Sequence, residues 1–253
     1  MRHLFSFLII IATYLAPFCQ AQEIPFRAGE ILQYQLKWNV FSGGKMSFTV
    51  REDAYLEGER VFHLQAEAET EGMFHKFYPF RVKIESFVSR KDFLPLRYQY
   101  ASWAPDETRL EVTSFPRGQP QGQYHLDQYK KGKKNEKDET FNMVAFFQDP
   151  LSMLYYIRTQ ELNVGDRIEI PLSVDRKNYK ILVKVLRRTR IKAAGKTWDA
   201  FILEPGLSLE GMPFKVGSLW IWVSADEARI PLYFSSRAPL GVVSGTLVKI
   251  GED

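Results

Sequence analysis

The chain has 253 residues, with 34 Lys and Arg against 30 Asp and Glu; its formal net charge of +4 is too small an excess for a nucleic-acid-binding polycation. With 45% hydrophobic and 14% aromatic residues it carries the material for a sizeable core, which excludes an intrinsically disordered chain. Its single cysteine, Cys19, excludes an internal disulfide framework and a cysteine-based metal site.

The N-terminus reads as an export signal. A basic start, Met1-Arg2-His3, precedes the short apolar run Leu4-Phe5-Ser6-Phe7-Leu8-Ile9-Ile10-Ile11-Ala12, and Cys19-Gln20-Ala21 offers small residues for a cut after Ala21. Phe18 before Cys19 disfavours lipidation, so residues 1–21 are expected to be removed as a signal peptide. The apolar run is too short for a membrane anchor, and no later stretch approaches a spanning length. The expected location is the periplasm, soluble or peripherally associated with a membrane.

Residues 22–253 read as a single β-rich domain, with 22–140 and 141–253 as candidate lobes. Leu32, Tyr34, Leu36, Trp38 and Val40 alternate with polar residues, a strand with one wet face. Phe41-Ser42-Gly43-Gly44 turns the chain, and Met46, Phe48 and Val50 resume the alternation, so the pair reads as a hairpin. Phe62, Leu64, Ala66 and Ala68 form the next strand, whose polar face carries Glu67 and Glu69, placed for cross-strand ion pairs. The segment Met73 to Phe80 reads as an aromatic connection. Strands follow through Val82 and Ile84, through Leu96, Tyr98 and Tyr100, and from Arg109 to Phe115. Tyr124, Leu126 and Tyr129 suggest one more, while Lys130 to Glu139 reads as a charged loop tip at the boundary between halves.

A helical pattern then appears. Asp149 can cap it, Pro150 suits its first position, and Leu151, Leu154, Tyr155 and Arg158 share one face at spacings of three and four. Arg158 near the C-terminal end is favoured by the helix dipole. Beyond it the chain returns to strands: Ile168 to Ile170, Asn178 to Ile191, Trp198 to Leu203, Lys215 to Val223, Ile230 to Ser235 and Val242 to Ile250. Asp226 and Arg229 are placed to pair across a turn. The expected fold is mainly β: antiparallel curved sheets, half-barrel or β-roll/sandwich-like, with one short amphipathic helix packed against them.

The chemistry is sparse. His63, His75 and His125 stand far apart without zinc-ligand spacing, so no metal and no cofactor are expected. No Gly-x-Ser-x-Gly elbow, phosphate loop or dinucleotide fingerprint occurs, and no catalytic residue is assigned. Binding has better candidates. Lys180, Lys184 and Arg188 follow at strand-compatible spacing along a basic arm, separated by Leu182 and Leu186; they read as a basic rim for an anionic headgroup. Phe77, Tyr78, Trp220 and Trp222 could line an apolar cavity, and Tyr155 and Arg158 on the helix complete the candidate set.

Three stretches carry a resemblance: Phe26-Arg27-Ala28-Gly29-Glu30, Asp149 to Arg158, and Trp222-Val223-Ser224-Ala225-Asp226-Glu227-Ala228-Arg229-Ile230-Pro231. Together the chain resembles the exported bacterial family catalogued as domain of unknown function 3108, over nearly all of the sequence beyond the signal. The resemblance implies a β-rich periplasmic protein and brings no catalytic residue with it. A curved sheet with a helix is also similar, at the level of fold alone, to periplasmic lipid and lipoprotein carriers. The leading expectation is a non-catalytic envelope protein binding a lipid, acyl chain or amphipathic glycolipid. The alternatives are a scaffold that binds another envelope protein along a sheet edge, and a hydrolase of envelope glycans or lipids; nucleic acid is not an expected partner.

Overall fold

The structure is a computed structural model that describes residues 24–209, 212–214, 218–238 and 241–252. The expected signal peptide, residues 1–21, lies outside the described residues. In chain order the elements are β1 (Glu30–Trp38), β2 (Phe41–Val50), β3 (Ala54–Leu56), β4 (Glu59–Thr70), α1 (Gly72–Phe77), β5 (Arg81–Ser89), β6 (Pro95–Ala104), β7 (Glu107–Ser114), β8 (Gln121–Lys130) and β9 (Lys133–Asn142). Then follow α2 (Pro150–Arg158), β10 (Arg167–Val174), β11 (Lys177–Ala193), β12 (Lys196–Leu209), β13 (Met212–Phe214), β14 (Ser218–Ser224), β15 (Pro231–Ala238) and β16 (Gly241–Glu252).

These strands make one antiparallel sheet in the order β10-β11-β12-β14-β15-β16-β1-β2-β4-β5-β6-β7-β8-β9, with β3 beside β4 and β13 beside β12. The two meanders of the sequence are therefore joined by the pairing of β1 with β16, and β9 and β10 are left as its two edges. Cross-strand partners share a face. One row of partners runs Leu32, Phe48, Ala66, Ile84, Tyr100, Glu111 and Leu126 across seven strands, apolar from Leu32 to Ile84, polar at Tyr100 and Glu111, and apolar again at Leu126.

The sheet curls until part of it is enclosed. β12 buries both of its faces: Phe201 and Leu203 pack with Ile181, Val183 and Ile157, while Trp198 and Ala200 pack with Leu32, Tyr34 and Leu247. The end of the β11–β12 hairpin reaches β16, where the Ala194 N–H donates to the Leu247 carbonyl at 2.8 Å. A sheet this long twists and coils rather than staying flat, and coiling buries more apolar surface. Close stacking leaves little room: a Cβ on Gly245 would meet the Phe234 ring and Leu36.

α2 forms for the reasons its sequence gives. Asp149 Oδ1 accepts from the Leu151 and Ser152 N–H groups at 2.8 Å each, and the Asp149 N–H donates to Ser152 Oγ, closing a capping box, with Pro150 in the first turn. Leu151 and Tyr155 join a core cluster with Phe26, Phe62 and Leu64, and Ile157 joins the one with Ile170 and Val183. The helix is a wedge between the two walls of the curled sheet.

Three local expectations change. The charged segment Lys130 to Glu139 is a hairpin rather than a loop: β8 and β9 pair from Gln121↔Asn142 to Lys130↔Lys133, and Lys131-Gly132 alone makes the turn. Its side chains lack strand alternation because β9 is an exposed edge, where charge rather than apolar patterning discourages pairing with other chains. The aromatic connection contains a second helix, α1, with none of its residues buried. The turn before β15 is also held differently from the expected Asp226–Arg229 pair. Asp226 accepts from Ser224 Oγ at 2.6 Å, and the Arg229 guanidinium donates to the carbonyls of Glu227 and Arg158.

Candidate functional site

The concave face changes character from β4 to β8. On β4 and β5 it shows Leu64, Ala66, Ile84 and Val88; on β7 the same face shows Arg109, Glu111 and Thr113. Opposite these stands the two-residue β10–β11 turn, Asp175-Arg176, with φ of 50° and 61° as a tight hairpin turn requires. Between them lies a cleft of about 380 Å³ lined by Tyr98, Tyr100, Arg109, Glu111, Tyr124 and Arg176, among others.

The charges in the cleft are organised in pairs. Arg109 is ion-paired with Glu111, whose other oxygen accepts from the Tyr124 hydroxyl at 3.0 Å. Arg176 is 2.7 Å from Glu139 on β9 and lies over the Tyr124 ring at 4.3 Å. Arg176 thus ties one edge of the sheet to the other. The hydroxyls of Tyr98 and Tyr100 bond to no other described residue. Burial, then the charges of Asp149 and Glu111, push the Tyr98 phenol well above its ordinary range, so it is a neutral donor and acceptor at any physiological pH. A ligand in this cleft would meet two guanidinium groups, two free phenols and the aromatic wall of Phe115 and Tyr124.

The residues singled out in the sequence do not converge. Lys180 and Lys184 share one face of β11, opposite Ser208 and Glu204. Arg188 points to the other face, because a β-bulge between Val185 and Arg187 inserts Leu186 and inverts the alternation beyond it. The spacing that would set all three on one rim is broken there. Each cation also has an acid nearby: Glu169 at 3.7 Å, Glu204 at 3.6 Å and Asp199 at 3.5 Å respectively. Phe77 and Tyr78 stand in solvent at α1. Trp220 and Trp222 share a face of β14, where Trp222 packs edge-on against Tyr233 at 4.9 Å. None of these lines the cleft.

The cleft residues are not among the candidates from the sequence, because the pattern from Arg109 to Phe115 gives a strand without saying which face meets the interior. The available signal was that Arg109, Glu111 and Thr113 lie in phase with Phe115, on the face that meets the core. Charged residues in phase with a core aromatic mark a polar interior.

Among the described residues Asp149 is the one fully buried carboxylate, and its oxygens are engaged by Ser86 Oγ at 2.5 Å and by the helix N–H groups. No group of three His, Cys, Asp or Glu capable of holding a metal occurs among the described residues.

The family model described as Protein of unknown function (DUF3108) matches residues 33–248. The chain belongs to the DUF3108 family. No curated protein matches this DUF3108 chain. Among solved structures it is similar in fold to a β-barrel-like protein of domain of unknown function DUF1849 from Brucella abortus, at 12% identity and a TM-score of 0.52, covering 88% of this chain and 97% of that one. A Bacteroides fragilis protein described as exported, with a YmcC-like fold, aligns over 90% of this chain and 98% of its own at 8% identity; its TM-score of 0.38 is too low to carry a structural argument.

In this DUF3108 protein the three stretches that carry the family resemblance meet at one side chain. The Arg158 guanidinium, 1% exposed, pairs with Glu30 at 2.6 and 2.8 Å and donates to the carbonyls of Ala228 and Pro25 at 3.1 and 3.2 Å. It also lies against the rings of Phe26 and Tyr155, at 5.3 and 5.5 Å. The N-terminal segment, the helix and the β14–β15 turn are clasped together there. Arg158 is engaged on every side, and Tyr155 is 1% exposed, so these two candidates hold the fold and are closed to a ligand.

Proposed function

We propose that this protein is exported and acts, without catalysis, as a cell-envelope binding protein for an amphiphile whose polar head enters the cleft between β7 and the β10–β11 turn. The observation that carries the reading is the pair of free phenols, Tyr98 and Tyr100, beside Arg109 and Arg176 in one half-open cleft. Hydroxyl and guanidinium groups recognise phosphate, carboxylate and sugar hydroxyls alike. About 380 Å³ suits a headgroup better than a whole lipid. From Tyr100 the same face continues through the half-buried apolar residues Ile84 and Phe48, a path suited to an acyl chain. Export is supported by the basic, apolar and small-residue order of the first 21 residues.

The scaffold reading finds less support, because the β9 edge is guarded by charge and the β10 edge is covered at Leu172 by Gln148. The test is native mass spectrometry of the gently purified mature protein, followed by titration with a long-chain fatty acid, phosphatidylglycerol and a glycolipid. A bound amphiphile, with affinity reduced at least about tenfold in Arg176→Ala and Tyr98→Phe/Tyr100→Phe, is the expected result. Protein that copurifies with no amphiphile and binds none of the three probes would overturn it.

A further inference from the structure

Of the five most exposed large apolar side chains among the described residues, four stand together at one end of the sheet: Phe77 at 82%, Val40 at 81%, Met73 at 71% and Phe41 at 64%. They come from two separate elements, the β1–β2 turn and α1. These are packed side by side through the Phe74 and Trp38 rings at 5.8 Å and a hydrogen bond from Glu71 N–H to the Gly43 carbonyl. Met73 and Phe77 are four residues apart, so they share the face of α1 away from the sheet. Next along the same end Tyr78 is 56% exposed, and Trp103 at the β6–β7 turn lies under the Arg81 guanidinium.

Cations flank this apolar end. Lys37 precedes the β1–β2 turn and Lys76 sits on α1; both are exposed, and neither has an ion-pair partner among the described residues. The nearby acids Glu69 and Glu71 are engaged by Lys45 at 2.8 and 3.3 Å. The surface therefore offers protruding apolar tips with unneutralised positive charge beside them.

We propose that this end of the sheet is a membrane-docking surface, inserting Val40, Phe41, Met73 and Phe77 into the interface of an anionic bilayer. The chemistry favours a bilayer over a protein partner in two respects. The side chains project singly from convex turns rather than lining a groove that a protein ridge could fill. Aromatic and aliphatic tips set among free lysines match the layered chemistry of a membrane interface, where apolar acyl chains lie beneath anionic headgroups. The proposal goes beyond the headgroup reading of the cleft and stands without it.

The experiment is co-sedimentation of the full mature chain with vesicles of phosphatidylcholine alone or with about one third phosphatidylglycerol, across a salt series. Binding is expected to the anionic vesicles and to weaken with salt. Phe41→Ser/Phe77→Ser should weaken it by about tenfold or more, and Lys37→Glu and Lys76→Glu by about fivefold each. All four positions are exposed, so the variants should keep the wild-type circular dichroism. Independently, wild-type tryptophan fluorescence should shift to the blue on vesicle addition, and Trp38→Phe/Trp103→Phe should abolish the shift. A control at an exposed aromatic away from this end, Tyr55→Ser on β3, should leave vesicle binding unchanged. Wild-type protein that stays in the supernatant with an unshifted spectrum would overturn the proposal. So would vesicle binding indifferent to the serine and glutamate changes, or a concentration-dependent dimer that those changes abolish in place of vesicle binding.

Discussion

Asp149 offers a sharp test of how the α2 wedge is held. A carboxylate capping a helix ordinarily has a lowered pKa, because the N–H groups and the dipole favour the charged form. Here the side chain is fully buried, and burial outweighs the hydrogen bonds from Ser86, Ser152 and Leu151, raising the pKa to about 6. The unfolded chain has the ordinary value, 3.8. The folded value is the higher of the two, so the stability this group contributes is full below the unfolded value. It is lost as pH rises through about 6. A gap of about two units corresponds to about 3 kcal/mol withheld at neutral pH. Asp149→Asn removes the charge and keeps an oxygen to accept from Leu151 and Ser152, and the Ser86 hydroxyl can rotate to accept from the new amide. Urea unfolding at a series of pH values should show the variant gaining about 3 kcal/mol on the wild type between about pH 4 and 7.5. A constant difference across that range, or a variant that loses ground as pH rises, would refute the claim that burial dominates the cap.

Arg158→Met should destabilise the protein by about 3–5 kcal/mol in chemical unfolding, because it leaves the Glu30 carboxylate without its cation and the Pro25 and Ala228 carbonyls without their donor; a loss under about 1 kcal/mol would show that the clasp is incidental. Tyr34→Phe should cost about 1 kcal/mol, since the Tyr34 hydroxyl donates to the Pro231 carbonyl at 2.6 Å, whereas Tyr155→Phe should be neutral or stabilising, since the buried Tyr155 hydroxyl has no hydrogen-bond partner among the described residues. The reverse order in matched thermal melts would contradict that hydroxyl assignment. Deleting Leu186 removes the bulge but leaves Arg187 opposite Ile202 and Ile191 opposite Trp198, so Thr189, Ile191 and Ala193 keep their face and a soluble, folded variant should be recovered; an insoluble product would show that the arm needs the bend of the bulge to bring Ala194 onto Leu247.

The fold was legible because alternation is a local property. Leu32 to Trp38 and Met46 to Val50 declare their faces within a few residues, and Asp149-Pro150 declares a helix start without reference to anything distant. The site was not, for two physical reasons. One inserted residue, Leu186, inverts the facing of every side chain after it, and nothing in the composition of the arm marks where the ladder slips. The second reason is that a row such as Ile84–Tyr100–Glu111–Leu126 is defined by register across four strands, and register is a relation between segments. Phe77 and Tyr78 differ in another way: aromatic character alone suggests an interior place, but the short α1 segment carries them into solvent.

The cleft is a consequence of how the sheet fails to close. Had β9 and β10 paired along their lengths, the interior would be a sealed barrel filled by side chains. Instead contact across the gap among the described residues is sparse: a parallel bridge between Gln148 and Leu172, Asn178 donating to the Asn142 carbonyl at 2.9 Å, and the Arg176–Glu139 ion pair. Charge on β9 keeps that edge from zipping, and the β10–β11 turn spans the opening through Arg176. The same guanidinium therefore braces the opening and faces the cleft. A ligand anion that competes with Glu139 for Arg176 would loosen the brace as it binds, linking occupancy of the cleft to the separation of the sheet edges.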